Sequence, residues 1–295
     1  MKTVVTGGAG FVGAHLVKRL VDDGHEVVVI DDLSSGFRSN LDGIDVELVE
    51  ASILDDGALT SILDADAVVH LAAVPSVPKS VKDPVTSHNA NATGTVLVLE
   101  AARANNAHVI VASSSSVYGA NPVLPKVETM RAMPISPYAV SKLATESYAL
   151  SYQHVYGLPT LAFRFFNIFG PLQAPGHAYA AVVPAFTHAA VRGEALIVHG
   201  DGEQTRDFTY VGTVVDTIVD AIERKVTSLD PVNLAFGTRY SLLEVVSLLE
   251  AELGGALERN HIGVREGDVR DSQAESTVLR SLFPDIVPVD LETGL

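Results

Sequence analysis

The chain has 295 residues, of which 47% are hydrophobic, which is enough for one large folded unit or two smaller ones. A formal net charge of −16 disfavours a surface that attracts nucleic acid or anionic lipid. Cysteine is absent, and neither a secretory leader nor a run of about eighteen apolar residues occurs, so we expect a cytoplasmic protein without disulfides or a membrane span.

The first 165 residues alternate between strand-like and helix-like segments. In chain order the strand-like runs are "KTVVTG", "EVVVID", "DVELVE", "DAVVHLAA", "HVIVA" and "TLAFRFF". Helical patterning falls between them, at 11–24, near 56–64, at 84–105 and at 137–156. Strands that are apolar on both faces and joined by helices predict an α/β fold with a parallel sheet covered on both sides.

The pattern changes after Asn167. Prolines and a glycine interrupt it at 171, 175, 176 and 184, and helices are predicted at 240–253 and in "SQAESTVLRSLF" at 272–283. We expect 168–295 to form mostly a smaller second lobe, with a segment near 208–236 returning to the first. The crevice between two such lobes is a favoured place for a ligand.

Glycines follow the first predicted strand at a spacing suited to a phosphate loop. "TGGAGFVG" places Gly7, Gly10 and Gly13 between that strand and the first predicted helix. Glycine is needed where the backbone turns tightly and approaches a pyrophosphate, whose charge is stabilised at the helix N-terminus. Asp31 ends the second strand, where a carboxylate accepts from adenosine ribose hydroxyls and repels a 2′-phosphate. The pattern predicts NAD rather than NADP; the alternative is a glycine turn that binds no ligand.

A tyrosine and a lysine four residues apart open the helix predicted at 137–156. In "SPYAVSK", Tyr138 and Lys142 share one helix face. A lysine held near a phenol stabilises the phenolate and lowers the tyrosine pKa from about 10 towards neutrality. A phenolate is a competent general base for a sugar or alcohol hydroxyl. The alternative is an exposed helical pair, which the phosphate loop of the same chain disfavours.

Ordered motifs extend over essentially the whole chain: "TGGAGFVG", "DDLSSG", "HLAA", "NATGT", "SSSSVYG", "PYAVSK", "RFFNIFGP", "GDGEQTRDFTYV" and "REGDVRDS". With these the chain resembles the extended short-chain dehydrogenase/reductases, in the nucleotide-sugar epimerase and dehydratase group, and most of all UDP-glucose and UDP-N-acetylglucosamine 4-epimerases. The resemblance implies a doubly wound Rossmann domain at 1–167 that binds NAD and a C-terminal α/β lobe, mostly 168–295, that binds a UDP-sugar. It also implies a homodimer through helices near 84–105 and 138–156.

The resemblance assigns roles by position. Tyr138 matches the catalytic base, Lys142 its partner, which also holds the nicotinamide ribose, and Ser114 the family's catalytic Ser/Thr. Arg206 and Arg265 match clamps on the diphosphate, a role that suits the planar donor fork of arginine, although a surface ion pair is the alternative for each. The implied cofactor-binding residues are Gly7, Gly10, Phe11, Val12, Gly13, Asp31, Asp32, Ser34, Ser35, Gly36, Ser52, Ile53, Leu71, Ala72, Ala73, Asn91, Ser113, Tyr138, Lys142 and Phe165. The implied substrate-binding residues are Ser76, Ser114, Ser115, Tyr138, Asn167, Val182, Val183, Val198, His199, Arg206, Arg265, Asp268 and Ser272.

Three reactions share the scaffold that the chain resembles, and all begin with removal of hydride from sugar C4 and of the O4 proton. A 4,6-dehydratase also needs the family's Asp-Glu pair directly after the catalytic Ser/Thr, where this chain has Ser115 and Ser116. Hydroxyls of unperturbed pKa neither deprotonate C5 nor protonate a leaving hydroxyl well. We therefore expect an isomerase, a UDP-hexose 4-epimerase, with a UDP-glucuronate 4-epimerase or decarboxylase as the alternative. A non-catalytic NAD or sugar-nucleotide binder is disfavoured because Tyr138 and Lys142 are both present.

Two further positions refine this expectation. Ser272 matches a gate beside the sugar's C2 substituent, where a small residue leaves room for an N-acetyl group. We thus expect activity on UDP-GlcNAc and UDP-GalNAc as well as UDP-Glc and UDP-Gal; a helix N-cap is the alternative role of Ser272. Ser52 stands where the family usually has an aspartate at the adenine, and its hydroxyl is expected to preserve binding. The ten histidines lack ligand spacing, so no metal is expected.

Overall fold

A seven-stranded parallel sheet forms the centre of the molecule. The computed structural model describes residues 1–175, 181–264 and 270–295. Along the described chain the strands are β1 (Lys2–Thr6), β2 (Glu26–Asp31), β3 (Glu47–Glu50), β4 (Ala67–His70), β5 (His108–Ser114), β6 (Thr160–Phe165), β7 (Asn167–Phe169), β8 (Leu196–His199), β9 (Thr205–Arg206), β10 (Phe208–Tyr210), β11 (Val232–Leu234), β12 (Tyr240–Ser241) and β13 (Arg259–Ile262). The order across the sheet is β3-β2-β1-β4-β5-β6-β11. This doubly wound order reverses between β1 and β4, where such sheets bind their ligands.

Helices cover both faces of the sheet. In chain order the helices of the described residues, including those that pack elsewhere, are α1 (Phe11–Asp22), α2 (Val77–Lys82), α3 (Pro84–His88), α4 (Gly94–Arg103), α5 (Pro137–Tyr156), α6 (Val182–Val191), α7 (Val211–Glu223), α8 (Leu242–Leu253), α9 (Thr277–Leu282) and α10 (Leu291–Gly294). One core packs α1, α7 and α9 against the sheet and includes Val5, and the other packs α4 and α5 and includes Val4. Successive strand residues face opposite sides, so both faces are buried, as the apolar strands predict. Within the described ranges no helix is long and apolar enough to cross a bilayer.

Three predicted helices are shorter or broken in the structure. The segment near 56–64 keeps one 3₁₀ turn, Thr60–Ile62, because Gly57 has φ +85°, which an α-helix does not accommodate. The segment 84–105 is divided by a π-helical turn, Asn89–Thr93, where the Asn91 carbonyl accepts from the hydroxyls of Thr95 and Thr145. The segment 272–283 is helical from Thr277 because the backbone before it bridges to 126 and 205.

Much of the chain after 168 packs around a separate core. Pairs β7–β10, β8–β13 and β9–β12 join helices α6, α8 and α10, and Phe186, Leu196 and Val245 are among the buried residues. In contrast, β11 pairs with β6 at the end of the large sheet, and α7 packs on α1.

Candidate active site

The glycine loop between β1 and α1 leaves no room for side chains. Gly7 has φ +74°, and a Cβ there would lie 2.6 Å from the Ala72 nitrogen. A Cβ on Gly13 would lie 2.2 Å from the Gly7 carbonyl oxygen. Helix α1 begins directly after Gly10, which has no side chain to cap the first turn. The first N–H groups of α1 are therefore suited to donate to a pyrophosphate.

Ala9 in this loop is tied to the segment that follows β2. The Asp31 carboxylate accepts from the Ala9 N–H at 2.9 Å and from the Leu33 N–H at 2.8 Å. The Phe37 N–H and the Asn40 side-chain amide both donate to the Ala9 carbonyl, at 3.0 and 2.9 Å. Burial raises the pKa of Asp31, and the two backbone donors oppose that rise. The predicted ribose-binding acid is thus held against the phosphate loop, and Asn40 is a member of this site that no motif indicated.

The three predicted catalytic groups lie at the adjoining ends of β5 and α5. The Tyr138 N–H donates to the Ser80 hydroxyl at 3.0 Å, which anchors the first turn of α5 to α2. Lys142, one helical turn later, is buried, and its Nζ donates to the Ala112 carbonyl at 2.8 Å. Ser114, the last residue of β5, places its hydroxyl beside the Tyr138 phenol. The structure therefore brings Ser114, Tyr138 and Lys142 together.

The electrostatics of these groups differ from expectation in one respect. Burial raises the pKa of the Tyr138 phenol, and the Ser114 hydroxyl opposes the rise. Burial lowers the pKa of Lys142 to about 8. The predicted lowering of the phenol pKa by Lys142 is not seen, because the lysine ammonium is directed to the Ala112 carbonyl. Ser114 is the neighbour that favours the phenolate.

Two residues predicted to bind cofactor use their side chains inside the protein. Asn91 is buried. Its side-chain oxygen Oδ1 accepts from the Val74 N–H at 2.7 Å, and its side-chain nitrogen Nδ2 donates to the Ser141 hydroxyl at 2.9 Å. The Ser113 hydroxyl is buried and donates to Glu146 at 2.7 Å. Both side chains organise the segments around the site, and the assignment of Asn91 and Ser113 to the cofactor stays a prediction.

Arg206 and Ser272 both form hydrogen bonds to Thr205, in strand β9 of the second lobe. Arg206 Nη1 donates to the carbonyls of Thr205 and Arg270, at 2.8 and 3.0 Å. The Ser272 N–H donates to the Thr205 carbonyl at 3.1 Å. Since α9 begins at Thr277, Ser272 is not a helix N-cap. The predicted diphosphate clamp and the predicted sugar gate therefore flank one residue, Thr205.

Asp207 joins three segments behind this strand. Its carbonyl accepts from both the backbone and side-chain nitrogens of Asn167, at 3.2 and 3.1 Å. Its carboxylate accepts from the Ala274 N–H and the Thr238 hydroxyl, both at 2.9 Å. Burial raises the pKa of Asp207 to about 6. The acid thus links the start of β7 to the segments that carry Thr238 and Ala274.

Two arginines that were not predicted to bind the substrate lie beside the clamp. Arg239 donates to the Thr205 hydroxyl at 2.9 Å and to Asp271 at 3.1 Å, and Arg270 pairs with Asp201 at 3.0 Å. Three arginines thus lie around Thr205, and two of them, Arg239 and Arg270, are each paired with an acid. Arg265 and Asp268 lie outside the described residues.

The remaining predicted residues occupy several segments. Ser52 accepts from the Leu54 N–H at 3.2 Å, and Ser76 caps α2. His199 Nδ1 lies 3.2 Å from the Gly263 carbonyl. No group of three or more acidic or histidine side chains able to hold a metal occurs among residues 1–175, 181–264 and 270–295. Residues predicted to bind ligands also begin α1 (Phe11, Val12), follow β2 (Asp32, Ser34, Ser35, Gly36), follow β3 (Ile53), follow β4 (Leu71, Ala72, Ala73), follow β5 (Ser115), end β6 (Phe165), begin α6 (Val182, Val183) and lie in β8 (Val198).

These features define the class of the protein. A glycine loop lies at the switch point of a doubly wound sheet, an acid ends the second strand, and a Ser–Tyr–Lys group lies at the end of β5. A Cβ at Gly7 or Gly13 would collide with the backbone of Ala72 or of Gly7, so the tight loop requires glycine there, as a loop that binds the pyrophosphate of a dinucleotide does. The arrangement is that of a dinucleotide-dependent enzyme of the short-chain dehydrogenase/reductase type.

Comparison with known proteins supports this class and narrows it. A model of the NAD dependent epimerase/dehydratase family matches residues 3–235, so the chain belongs to that family and NAD is its cofactor. A UDP-glucose 4-epimerase of Mycolicibacterium smegmatis is 38% identical, over 100% of this chain and 96% of that protein. A UDP-N-acetylglucosamine 4-epimerase of Methanobrevibacter ruminantium, solved with UDP-N-acetylmuramic acid, has a TM-score of 0.93 at 36% identity, over 99% of this chain and 94% of that one. A UDP-N-acetyl-alpha-D-glucosaminuronate decarboxylase of Bacillus cytotoxicus is 35% identical, over 83% of this chain and 78% of that protein. The chain is an epimerase-type enzyme, an isomerase of the nucleotide-sugar group.

Proposed function

We propose that this chain is a UDP-hexose 4-epimerase that interconverts UDP-Glc with UDP-Gal, and UDP-GlcNAc with UDP-GalNAc, through a transient 4-keto sugar. The observation that carries the proposal is the placement of Ser114, Tyr138 and Lys142 together, followed by the neutral Ser115 and Ser116. This set removes and returns the O4 proton and contains no acid pair for elimination. The residues at 1–167 are proposed to bind NAD and most of those at 168–295 the UDP-sugar.

Each catalytic side chain has one role in this proposal. Tyr138 takes the O4 proton as the phenolate and returns it after the 4-keto sugar has turned its other face. Ser114 favours the phenolate by donating its single hydroxyl proton to Tyr138, and it can donate to the sugar oxygen once Tyr138 has taken the O4 proton. Lys142, held by the Ala112 carbonyl, supplies a buried cation one turn from the base. NAD, when bound, supplies the site that accepts hydride from sugar C4 and gives it back.

The substrate side is assigned to the second lobe. Arg206 lies among the carbonyls of Thr205 and Arg270, and we assign it to the diphosphate. Arg265 and Asp268 remain assigned to the diphosphate and uridine by resemblance. Ser272 is half-buried beside Thr205, and its small side chain supports acceptance of an N-acetyl group.

Product analysis by NMR tests this proposal against uronate chemistry. The enzyme is incubated separately with UDP-Gal, UDP-GalNAc and UDP-glucuronate, with the Tyr138→Phe variant as the inactive control. We expect the 4-epimers of the first two. Release of carbon dioxide or formation of UDP-galacturonate would transfer the assignment to a decarboxylase or uronate epimerase. Ser272→Tyr is expected to keep the UDP-Gal reaction and lose the UDP-GalNAc reaction; retention of both would remove the gate role.

We also propose a homodimer through the outer surface of α3, α4 and α5. Large apolar side chains are exposed there: Val85 is 66% exposed, Val140 51% and Tyr148 43%. Exposed apolar surface of this kind on neighbouring helices marks a protein interface. A second copy is the expected partner, since the resemblance places the dimer on these helices.

A further inference from the structure

A buried ion pair lies under the catalytic end of β5. Arg164 on β6 donates through Nε and Nη2 to the two carboxylate oxygens of Glu146 on α5, at 3.0 and 2.7 Å. The two side chains are 5% and 3% exposed. Arg164 also lies 4.7 Å from the centre of the Tyr118 ring and donates to the Glu128 carbonyl at 3.2 Å. Buried pairs of this kind are weak evidence for stability, because desolvation offsets their attraction, so the pair invites a functional explanation.

The pair reaches the catalytic strand through one hydroxyl. Ser113 donates to the Glu146 carboxylate at 2.7 Å and contacts the Lys142 carbonyl at 3.3 Å. Ser113 immediately precedes Ser114, and side chains of successive strand residues point to opposite faces. Holding Ser113 against α5 therefore sets the direction in which Ser114 projects.

We propose that Glu146, oriented by Arg164, is a positioning residue for the Ser114–Tyr138 pair and acts through the Ser113 hydroxyl. The inference rests on the proposed role of Tyr138 as the base. A direct effect of the Glu146 charge on Lys142 is disfavoured, because burial is the cause of the lowered Lys142 pKa and Arg164 neutralises the carboxylate. Glu146 and Ser113 do not themselves touch the reacting atoms.

Ser113→Ala breaks the link while leaving the ion pair intact. We expect kcat for UDP-Gal to fall about tenfold with KM changed less than about twofold, since misplaced catalytic groups lower the chemical rate more than binding. Thr160→Val is the matched control. The buried Thr160 hydroxyl likewise joins a strand to α5, in this case β6, by donating to the Ala149 carbonyl, far along the helix from the site. The control should keep kcat. An unchanged kcat in Ser113→Ala would overturn the proposal.

A double-mutant cycle separates positioning from general loosening. If Ser113 acts through Ser114, Ser113→Ala should cause no further loss of kcat in a Ser114→Ala background. If the double variant instead shows the product of the two separate losses in kcat, the proposal is contradicted. Glu146→Gln should match Ser113→Ala in kcat; Ser113→Ala decides the question if Glu146→Gln fails to fold.

Titration of the Tyr138 phenol needs no sugar nucleotide and keeps this inference separate from the proposed function. Phenolate absorbance of the NAD-bound protein is followed against pH, with the Tyr138→Phe version of each variant subtracted. Weakened support from Ser114 should raise the phenol pKa in Ser113→Ala by about half a unit or more and leave it unchanged in Thr160→Val. An unshifted pKa overturns the positioning role. A shifted pKa in an enzyme without activity on any UDP-sugar upholds it and refutes the epimerase assignment.

Discussion

Asp207→Asn should change how the stability of the protein depends on pH. Asp207 is fully buried, and burial raises its pKa from 3.8 to about 6. A carboxyl group with a folded-state pKa above its unfolded value stabilises the fold at low pH, and this contribution is lost as the pH rises through the folded pKa. At pH 5, about one unit below the folded pKa, the contribution is about 1.4 kcal/mol, and by pH 8 it is about zero. Asparagine does not titrate, so its variant lacks this contribution throughout.

Urea unfolding followed by circular dichroism measures the effect. The free energy of unfolding of Asp207→Asn, relative to the parent, should shift in favour of the variant by about 1.4 kcal/mol between pH 5 and pH 8. The loss of the contacts with Ala274 and Thr238 lowers the stability of the variant at both pH values and cancels in this difference. Ser247→Ala, at an exposed side chain that does not titrate, is the control and should show no such shift. A difference that stays constant with pH, or moves the other way, would refute a raised pKa at Asp207.

Three further predictions concern the cofactor and the interface. Gly13→Ala would place a Cβ 2.2 Å from the Gly7 oxygen, so we expect NAD affinity to fall about tenfold or more by fluorescence titration. Gly255→Ala is the control, because its Cβ would lie in open space, and it should bind NAD normally. Normal NAD binding by both variants would contradict the role of the glycine loop in binding the cofactor. Asp31→Ser removes the carboxylate that repels a 2′-phosphate, so the ratio of NADP to NAD affinity should rise about tenfold. An unchanged ratio would contradict a contact of Asp31 with the adenosine ribose. The double variant Val85→Glu, Val140→Glu should be a monomer in light scattering. Leu229→Glu, on an exposed loop, is the control and should remain a dimer. A dimeric double variant would show that α3 and α5 do not form the interface.

The sequence predicted best those features that depend on neighbouring residues in the chain. The sheet follows from runs of apolar residues, and the phosphate loop from Gly7, Gly10 and Gly13, whose constraint is backbone geometry. The placement of Tyr138 and Lys142 follows from their spacing on one helix. The resemblance then supplied Ser114, which the structure places beside them.

What the sequence missed depends on partners far away in the chain. The side chains of Asn91 and Ser113 bind Ser141 and Glu146, which lie 50 and 33 residues away in the chain. Arg164 stands inside the apolar run "TLAFRFF", where nothing local indicates a buried ion pair with Glu146. The π-helical turn at Asn89–Thr93 likewise depends on a hydroxyl of α5, on Thr145.

The route of the chain limits how this protein can be divided. After contributing β7 to β10 it returns to add α7 and β11 to the large sheet before continuing to β12. A fragment ending at 167 would leave the edge of β6 unpaired and the α7-facing surface of α1 bare, which favours aggregation. The second lobe therefore cannot be exchanged for that of another protein by joining two chains at one point. A chimera that keeps both lobes intact would need at least two junctions, one on each side of the segment that adds α7 and β11 to the large sheet.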